Sequence, residues 1–315
     1  PMKKLVIFNV WWAHSAYYEF DWMTVLVDLW ASSEFSPVDN FLLPLASKWK
    51  FLTWEWEFDN WKFLINQLFL SHLDKDHVCD YLKFRENFHW IYMTCPNDHP
   101  NQHNHHIVNK ELLWVETDLK NTILNDMRDT RKPHTEYTPL ISIVPNISLF
   151  YIPPWVCESN IAISPWYANN ISLVLFFKVW DKTVLIPWDI LKSWMEYLID
   201  NKPEFRTLLM NDWVDYLLAP HHWLQTSFSE KLFQTIKWWK TRLNIISEKI
   251  RTADSEENRS DVDTRYYNLD YSSGINSLWQ KAVKTSVGHI FIDFDKPETE
   301  IIQTQDIDFI INQFL

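Results

Sequence analysis

Glycine is almost absent from this chain, which has 2 glycines and 20 tryptophans among its 315 residues. Ordinary usage is about 7% glycine, or roughly 22 residues at this length. Tryptophan and glycine together reach that number. Tight turns need positive φ, which glycine adopts without a Cβ clash, so the chain lacks the usual residue for such turns.

Several tryptophans occupy positions where a turn needs glycine. Trp22, Trp61 and Trp180 each adjoin Asp or Asn and lie between two apolar or β-branched runs. Asn-Gly, Asp-Gly and Gly-Asp are common hairpin dipeptides. We hypothesise that most of the tryptophans stand for glycines, as in a gene whose UGA codons mean glycine but were translated as tryptophan. The alternative is a truly tryptophan-rich protein, and the codons distinguish the two.

Cysteines and long apolar runs are also scarce. Cys79, Cys95 and Cys157 are odd in number and widely spaced, which argues against a disulfide framework or a Cys-x-x-Cys zinc site. This cysteine usage fits a reducing, cytoplasmic location. The first apolar run, 5–10, is too short for a signal peptide. No stretch of 18 apolar residues exists, so no membrane span is expected.

Basic residues are outnumbered by acidic ones, 29 to 41, and the net charge is −12. This balance argues against broad electrostatic binding of nucleic acid, which relies on a basic surface. It leaves open a nucleic-acid substrate at a metal-bearing cleft. The apolar fraction of 47% is enough for a sizeable core.

Short apolar runs bounded by turn residues alternate with segments of helical periodicity. Strands are expected at 4–10, 16–20, 24–29, 90–95, 140–144, 171–179, 183–187, 214–219, 243–248, 289–293 and 298–304, with a hairpin within 51–70. Helices are expected at 37–48, 109–128, 190–201, 203–211, 229–237 and 306–314. This mixed order predicts layered α/β/β/α packing in one domain, residues 1–315.

The densest group of ligand-type side chains directly follows the apolar run 64–70, in the sequence Ser71-His72-Leu73-Asp74-Lys75-Asp76-His77. Two histidines and two carboxylates at the end of a strand can converge on a metal ion. Imidazole and carboxylate together suit Zn²⁺, Mn²⁺ or Fe²⁺. The alternative is a polar loop with incidental histidines.

Two other predicted strands lead into residues that ligate metals. The run 185–187 is followed by Trp188 and Asp189, and the run 217–220 is followed by His221 and His222. Three strand ends that carry such side chains are what a metal site at a sheet edge requires. The histidines within 99–106 are interpreted as part of a solvated loop.

The pattern His-x-Asp-x-Asp-His at 72–77 resembles the metal signature of the metallo-β-lactamase superfamily. The aspartate at its third position, Asp74, resembles the pattern in one branch of the superfamily, the ComEC-type DNA-uptake competence proteins and their soluble relatives. Further motifs of that branch occur in the family's order: 8–15 for "DVGxGDS", 27–30 for "VDxG", 169–175 for "NNxSLVL", residue 180 for a glycine turn, 188–189 for "GD" and 220–227 for "PHHG…S". The resemblance spans roughly residues 5–240.

Five tryptophans fall on glycines of this pattern: Trp11, Trp30, Trp180, Trp188 and Trp223. Asn9 and His14 depart from it too, because the family usually has aspartates there. An indole at 188 or 223 would crowd the metal site, and tryptophan in a tight turn would strain the backbone. The chain as written is therefore expected to fold poorly and to have weak or no catalytic activity.

The resemblance implies a four-layer αββα sandwich with a site for two divalent ions, Zn²⁺ or Mn²⁺. The implied ligands are His72, Asp74, Asp76, His77 and Asp189, completed by His221 or His222. Asp189 would bridge the ions, and Asp28 would orient a histidine or support the loop. The Asn169-Asn170 pair stands where many superfamily members have another histidine ligand, so one ion would be bound more weakly. Asn170 is expected beside the ligands, where it would support them as Asp28 does.

The implied activity is hydrolysis of a phosphodiester, in a small molecule or a nucleic acid, by a water that two metal ions activate. Asp76 could accept a proton, and whichever of His221 and His222 is not a ligand could stabilise the developing oxyanion or protonate the leaving group. Ser227 could bind substrate, with a helix-start hydroxyl as the alternative. Hydrolysis of a lactone, thioester or small ester and a non-catalytic binding or scaffold role are the other interpretations. DNA transport is not expected, because the channel portion of full competence proteins is missing.

Overall fold

The structure is a computed structural model that describes residues 2–10, 15–48, 50–51, 53–55, 61–73, 75–95, 117–129, 144–153, 156–157, 167–220, 227–247, 263–275, 281–296 and 300–315. The chain divides into two compact units. The terminal unit combines residues 1–144 and 287–315, and the central unit is 145–286. Each unit contains one β-sheet and several helices, so the predicted α/β class is confirmed. The single-domain organisation stays a prediction.

Fourteen strands lie within the described residues. They are β1 Met2–Ile7, β2 Ala16–Asp21, β3 Met23–Val27, β4 Thr53–Glu55, β5 Trp61–Phe69, β6 Phe88–Thr94, β7 Ile147–Phe150, β8 Val174–Val179, β9 Lys182–Ile186, β10 Tyr216–Leu218, β11 Leu243–Ile246, β12 Ala282–Lys284, β13 His289–Asp293 and β14 Glu300–Thr304. The sequence predicts most of them, but β7 and β12 were not expected. The expected strand at 140–144 lies outside the described residues except for Val144.

Nine α-helices lie within the described residues. They are α1 Leu43–Ser47, α2 Lys75–Val78, α3 Tyr81–Asn87, α4 Thr117–Asp129, α5 Tyr167–Asn170, α6 Lys192–Asn201, α7 Pro203–Asn211, α8 Glu230–Thr235 and α9 Ile307–Gln313. Six of the nine lie in predicted helical segments, whereas α2, α3 and α5 were not expected, and residues 109–116 of the expected helix 109–128 lie outside the described residues. A wider helical turn, Val38–Leu42, leads directly into α1. Ser229 caps α8, because its Oγ accepts a hydrogen bond from the Leu232 N–H at 3.1 Å. None of the helices in the described ranges has the length and apolarity that crossing a bilayer requires.

The sheet of the terminal unit has the strand order β14-β13-β1-β2-β3-β5-β4, with β6 paired to β5. β1, β2 and β3 form antiparallel hairpins, whereas β3 and β6 both run parallel to β5. The register pairs Val27 with Phe69 at the ends of β3 and β5. Because these strands are parallel, the residues that follow them leave from the same edge of the sheet.

The core of the terminal unit is rich in aromatic rings. Tyr17 of β2 packs edge-on against Phe41 and Phe314, with ring centroids 5.2 Å apart in both pairs. Phe314 directly follows α9. The last helix of the chain therefore places an aromatic ring against the sheet that contains the first strands. Offset and edge-on aromatic pairs add stability beyond the area they bury.

The sheet of the central unit has the strand order β12-β11-β10-β9-β8-β7. β9, β10, β11 and β12 are parallel to one another, and β8 joins β9 in an antiparallel hairpin. β10 and β11 are buried along their whole length and β9 is buried beyond Lys182, as parallel strands covered on both faces are. β9 and β10 therefore end at the same edge of this sheet.

His289 gives the terminal unit a pH-dependent stability. Its ring is buried against Phe35 at a centroid distance of 4.5 Å, and its Nδ1 accepts a hydrogen bond from the Asn9 N–H at 3.0 Å. Burial lowers the pKa of His289 from 6.5 to about 4. A histidine held neutral in the fold contributes stability that is complete above pH 6.5 and is lost as pH falls from 6.5 towards 4.

We expect His289→Asn to flatten this pH dependence, because an amide oxygen can replace Nδ1 as acceptor but does not titrate. The wild-type chain should lose about 2–3 kcal/mol more than the variant between pH 7 and pH 4.5. Urea unfolding of both proteins at the two pH values measures the difference. Equal losses in the two proteins would contradict the role of His289.

Candidate metal centre

Two backbone hydrogen bonds beyond the ends of the parallel strands bring Asp28 and Ser71 together in the terminal unit. Asp28 directly follows β3, and its N–H donates to the carbonyl of Phe69 at the end of β5, at 2.9 Å. The chain then leaves β5 through Leu70, whose N–H donates to the Thr94 carbonyl of β6 at 2.9 Å. Parallel pairing thus extends one residue past the strands and places the Asp28 side chain beside Ser71.

Asp28 is a buried carboxylate with three polar contacts. Its Oδ1 accepts from the Ser71 N–H at 2.7 Å, and its Oδ2 accepts from Ser71 Oγ at 2.6 Å. Oδ2 also lies 2.7 Å from His77 Nδ1. Asp28 has φ of 54°, a left-handed conformation that aspartate tolerates better than most residues, and Ser15 Oγ donates to its carbonyl at 2.9 Å.

His72 and His77 lie side by side and are both fully buried. Their ring centroids are 4.0 Å apart, and one nitrogen of each lies within 4.8 Å of the other. Ser71 Oγ lies 3.1 Å from His72 Nδ1 and 3.2 Å from His77 Nδ1. Both rings therefore turn Nδ1 towards the Ser71–Asp28 pair, and Nε2 is the nitrogen on the opposite side of each ring.

This arrangement fits a metal-binding role. A histidine that ligates a metal through one nitrogen almost always donates the other N–H to a carboxylate, carbonyl or water, which fixes the tautomer and the ring orientation. Asp28 provides that carboxylate for His77 directly. Two buried imidazoles held in this way are donors that suit Zn²⁺, Mn²⁺ or Fe²⁺.

Backbone contacts of the following segment hold His77 in place. His77 lies in α2, and its carbonyl accepts from the Leu29 N–H at 2.9 Å. The Leu29 carbonyl in turn accepts a hydrogen bond from the Asp80 N–H at 2.9 Å. Two backbone hydrogen bonds therefore join the residue after Asp28 to the segment that contains His77. Asp76 belongs to the same helix, while its side chain and all of Asp74 lie outside the described residues.

The other predicted ligand segments belong to the central unit. Asp189 is buried and comes three residues after the end of β9, in a turn where the Ile190 N–H donates to the Pro187 carbonyl at 3.4 Å. β10, parallel to β9, ends at Leu218. The residues that follow the described segment at Pro220 are His221 and His222, which lie outside the described residues.

Two further predicted positions are buried in the central unit. Asn170 is the last residue of α5, and Asn169 beside it is buried as well. Ser227 is fully buried, two residues before the serine that caps α8. Asn170 and Ser227 keep their predicted roles as proposals.

Ser71 is a residue of the candidate site for which the sequence predicts no role. It stands in the motif, but its hydroxyl contacts both histidines and donates to Asp28, which is 43 positions away in the chain. The signal available in the sequence was a hydroxyl residue at the end of an apolar run, next to a histidine. Only the parallel pairing of β3 with β5 shows which partners that hydroxyl meets.

We expect Ser71→Ala to weaken metal binding about tenfold, because loss of a group that orients a ligand typically costs 10–100-fold in affinity. Ser71→Thr keeps the hydroxyl and should retain most of the affinity. Both variants are made in a chain that carries Trp188→Gly, because an indole at 188 is expected to crowd the site, and titration with Mn²⁺ or Zn²⁺ measures the effect. Equal affinity in the Trp188→Gly chain with and without Ser71→Ala would show that the hydroxyl does not position the histidines.

No protein-family model and no curated protein sequence match the chain. Solved structures resemble it in fold. Igni18, a metallo hydrolase from the hyperthermophilic archaeon Ignicoccus hospitalis, is 12% identical with a TM-score of 0.38, over 78% of this chain and 82% of that protein. YhfI from Bacillus subtilis, a metallo-β-lactamase fold protein, is 12% identical with a TM-score of 0.37, over 78% and 85%. A Thermotoga maritima protein assigned to the metallo-β-lactamases is 14% identical with a TM-score of 0.34, over 64% and 86%.

Proposed function

We propose that this protein is a metal-dependent hydrolase of the metallo-β-lactamase superfamily. The observation that carries the proposal is the buried group in which Asp28 and Ser71 face Nδ1 of His72 and His77. Buried imidazoles and a buried carboxylate are costly to desolvate, and a protein that only needed a packed core would use apolar side chains there. The group stands directly after β5, where the motif that resembles the superfamily signature lies.

The proposed ligands combine this pair with the other residues of the resemblance. They are His72, Asp74, Asp76, His77 and Asp189, completed by His221 or His222. Such a mixture of imidazoles and carboxylates suits two divalent ions, with Mn²⁺ favoured as the carboxylate share rises and Zn²⁺ as the alternative. When bound, two such ions supply Lewis acidity that brings the pKa of a water to near 7 and polarises a substrate oxygen.

The chain's own residues then have distinct tasks. Asp28 Oδ2, at 2.7 Å from His77 Nδ1, holds the imidazole proton on Nδ1 and so keeps the lone pair on Nε2. Asp76 accepts the proton that the attacking water loses. Whichever of His221 and His222 is not a ligand donates a proton to the leaving group.

We propose phosphodiesters as the substrate class, because the order of the motifs is similar to that of ComEC-type proteins. The substrate is either a small molecule or a short, accessible part of a nucleic acid, since a net charge of −12 does not favour broad binding to polyanions. The same fold supports other hydrolytic chemistries, of which lactone and thioester cleavage are the closest competitors.

Hydrolysis of bis-p-nitrophenyl phosphate, compared with a panel of lactones and thioesters in Mn²⁺ and in Zn²⁺, tests the substrate class. We expect the phosphodiester to be the best substrate. Preference for a lactone or thioester would overturn the phosphodiester assignment and keep the hydrolase. A chain that binds no metal and cleaves none of these compounds would instead be a binding or scaffold module.

A further inference from the structure

Tryptophan dominates the left-handed backbone positions of this protein. Six residues other than glycine have positive φ among the residues that the structure describes: Asp21, Asp28, Trp180, Trp188, Trp238 and Trp239. Aspartate is one of the residues enriched at such positions, but tryptophan, with a large side chain on Cβ, is not. Tryptophan makes up 20 of the 315 residues and yet supplies four of these six positions.

The hairpin between β8 and β9 shows the first case. Val179 pairs with Lys182, so the loop has two residues, Trp180 and Asp181. Trp180 has φ of 57°, and its side chain is 67% exposed. A two-residue hairpin loop with positive φ at its first residue is the setting in which type II′ turns take glycine. The exposed indole offers no compensating burial.

The segment after α8 shows the second case. The Trp239 N–H donates to the Ile236 carbonyl at 2.8 Å, which closes a four-residue turn with Trp238 as its third residue. Trp238 has φ of 70°, as the third residue of a type II turn does, and that position requires glycine or asparagine. Trp239 follows with φ of 61°. Both side chains are exposed, 66% and 73%.

The turn that carries Asp189 shows the third case. It runs from Pro187 to Ile190, and its second residue, Trp188, has φ of 49°. The first central position of a turn with positive φ is again a glycine position. Trp188 differs from the other three because it is fully buried.

We infer that the native protein has glycine at positions 180, 188, 238 and 239, and that glycine at 188 positions Asp189 by permitting the left-handed turn. The first part rests on backbone conformation alone and includes 238 and 239, which belong to none of the motifs of the resemblance. The second part rests on the proposed function, because it treats Asp189 as a metal ligand. Trp22 and Trp61 are not included: the left-handed residue of the β2–β3 loop is Asp21, and Trp61 is the first residue of β5.

The codons and peptides of the native protein test the first part. We expect a codon other than UGG at all four positions, and glycine at each of them in peptide masses of the protein isolated from its own organism. UGG codons, or tryptophan in those peptides, would overturn the assignment.

Stability of the chain as written tests the conformational argument behind it. Trp180→Gly, Trp238→Gly and Trp239→Gly should each raise the folding equilibrium constant about fivefold, because a left-handed conformation is costly for any residue with Cβ. Trp22→Gly is the matched control: Trp22 is 87% exposed, also lies in a hairpin loop, and has no positive φ. We expect no gain there. A gain at Trp22 as large as at the other three would show that removal of any exposed indole has this effect, and would contradict the argument.

Three substitutions at position 188 test the positioning role. Glycine adopts positive φ freely, asparagine tolerates it, and alanine does not, whereas the order of increasing side-chain volume is glycine, alanine, asparagine. If the turn conformation controls Asp189, affinity for Mn²⁺ or Zn²⁺ should fall in the order Trp188→Gly, Trp188→Asn, Trp188→Ala. Circular dichroism of each variant checks that all three are folded.

The outcomes separate the two parts of the inference. An affinity for Trp188→Ala equal to or above that for Trp188→Asn would mean that space, not backbone conformation, matters, and would overturn the positioning role. Failure of every folded variant to bind either ion would contradict the proposed function and the positioning role together. The assignment of glycine would then still be decided by the codons.

Discussion

Asp189→Ala, made in a chain that carries Trp188→Gly, should lower the rate of phosphodiester hydrolysis by about 10³-fold or more. Asp189 is the proposed ligand that bridges the two ions, and polarisation by bound metal contributes several kcal/mol to stabilisation of the transition state. Each 1.36 kcal/mol changes the rate about tenfold, so loss of the bridging carboxylate should bring activity close to background. Steady-state hydrolysis of bis-p-nitrophenyl phosphate in Mn²⁺ measures the effect.

Asp181→Ala is the matched control for this experiment. Asp181 is also an aspartate of the central unit, in the loop between β8 and β9, and its side chain is 82% exposed. It should keep full activity. Asp76→Ala should behave like Asp189→Ala, since Asp76 is proposed as both ligand and proton acceptor. Full turnover by Asp189→Ala or by Asp76→Ala would rule out the proposed site.

The second large effect is expected from Asp28→Ala. The carboxylate accepts hydrogen bonds from the Ser71 N–H and Oγ and faces His77 Nδ1, and all three residues are fully buried. Each buried donor left without an acceptor costs about 1–3 kcal/mol, so the free energy of unfolding should fall by about 3 kcal/mol or more. Metal affinity should fall by about 10–100-fold, because His77 is no longer held.

Asp28→Asn separates the two consequences of that change. Asparagine tolerates the left-handed conformation of residue 28 and keeps one side-chain acceptor, so most of the stability should be retained. It lacks the charge that fixes the His77 tautomer, so metal affinity should still fall about tenfold. Urea unfolding and metal titration of both variants give the two numbers. Unchanged stability and affinity in Asp28→Ala would remove Asp28 from the site.

The elements that the sequence predicts well are those with strong local signals. α7 begins at Pro203 and ends at Asn211 as expected, because proline fits the first turn of a helix and the apolar spacing continues to the end. β13, His289–Asp293, is a short apolar run with clear polar limits and was also predicted correctly. Such signals depend on neighbours in the chain and need no tertiary contact.

The strands that were missed depend on tertiary pairing. β7 and β12 are the two edge strands of the central sheet and have only four and three residues. Their residues extend because β8 and β11 offer open edges, and runs this short carry little periodicity of their own. The first strand shows the same limit at its end: it stops at Ile7 and not at residue 10, since pairing with β2 ends there.

The residues of the candidate site also divide into those that the sequence indicates and those that only strand pairing reveals. His72 and His77 could be found from spacing, because both belong to one compact motif. The role of Ser71 could not, since its hydroxyl meets Asp28 only when β3 and β5 pair in parallel with Val27 opposite Phe69. The tryptophans divide in the same way. The dipeptide Trp180-Asp181 indicated a glycine turn, whereas the left-handed conformation of Trp238 and Trp239 is seen only in their φ angles.

The number of metal ions bound per chain tests the central claim most directly. It should be measured by elemental analysis after equilibration with Mn²⁺ or Zn²⁺, both for the chain as written and for the chain with glycine at 180, 188, 238 and 239. We predict about two ions per chain in the glycine form, and loss of metal when His72→Ala and His77→Ala are combined in it. Absence of bound metal from both folded forms would contradict the account.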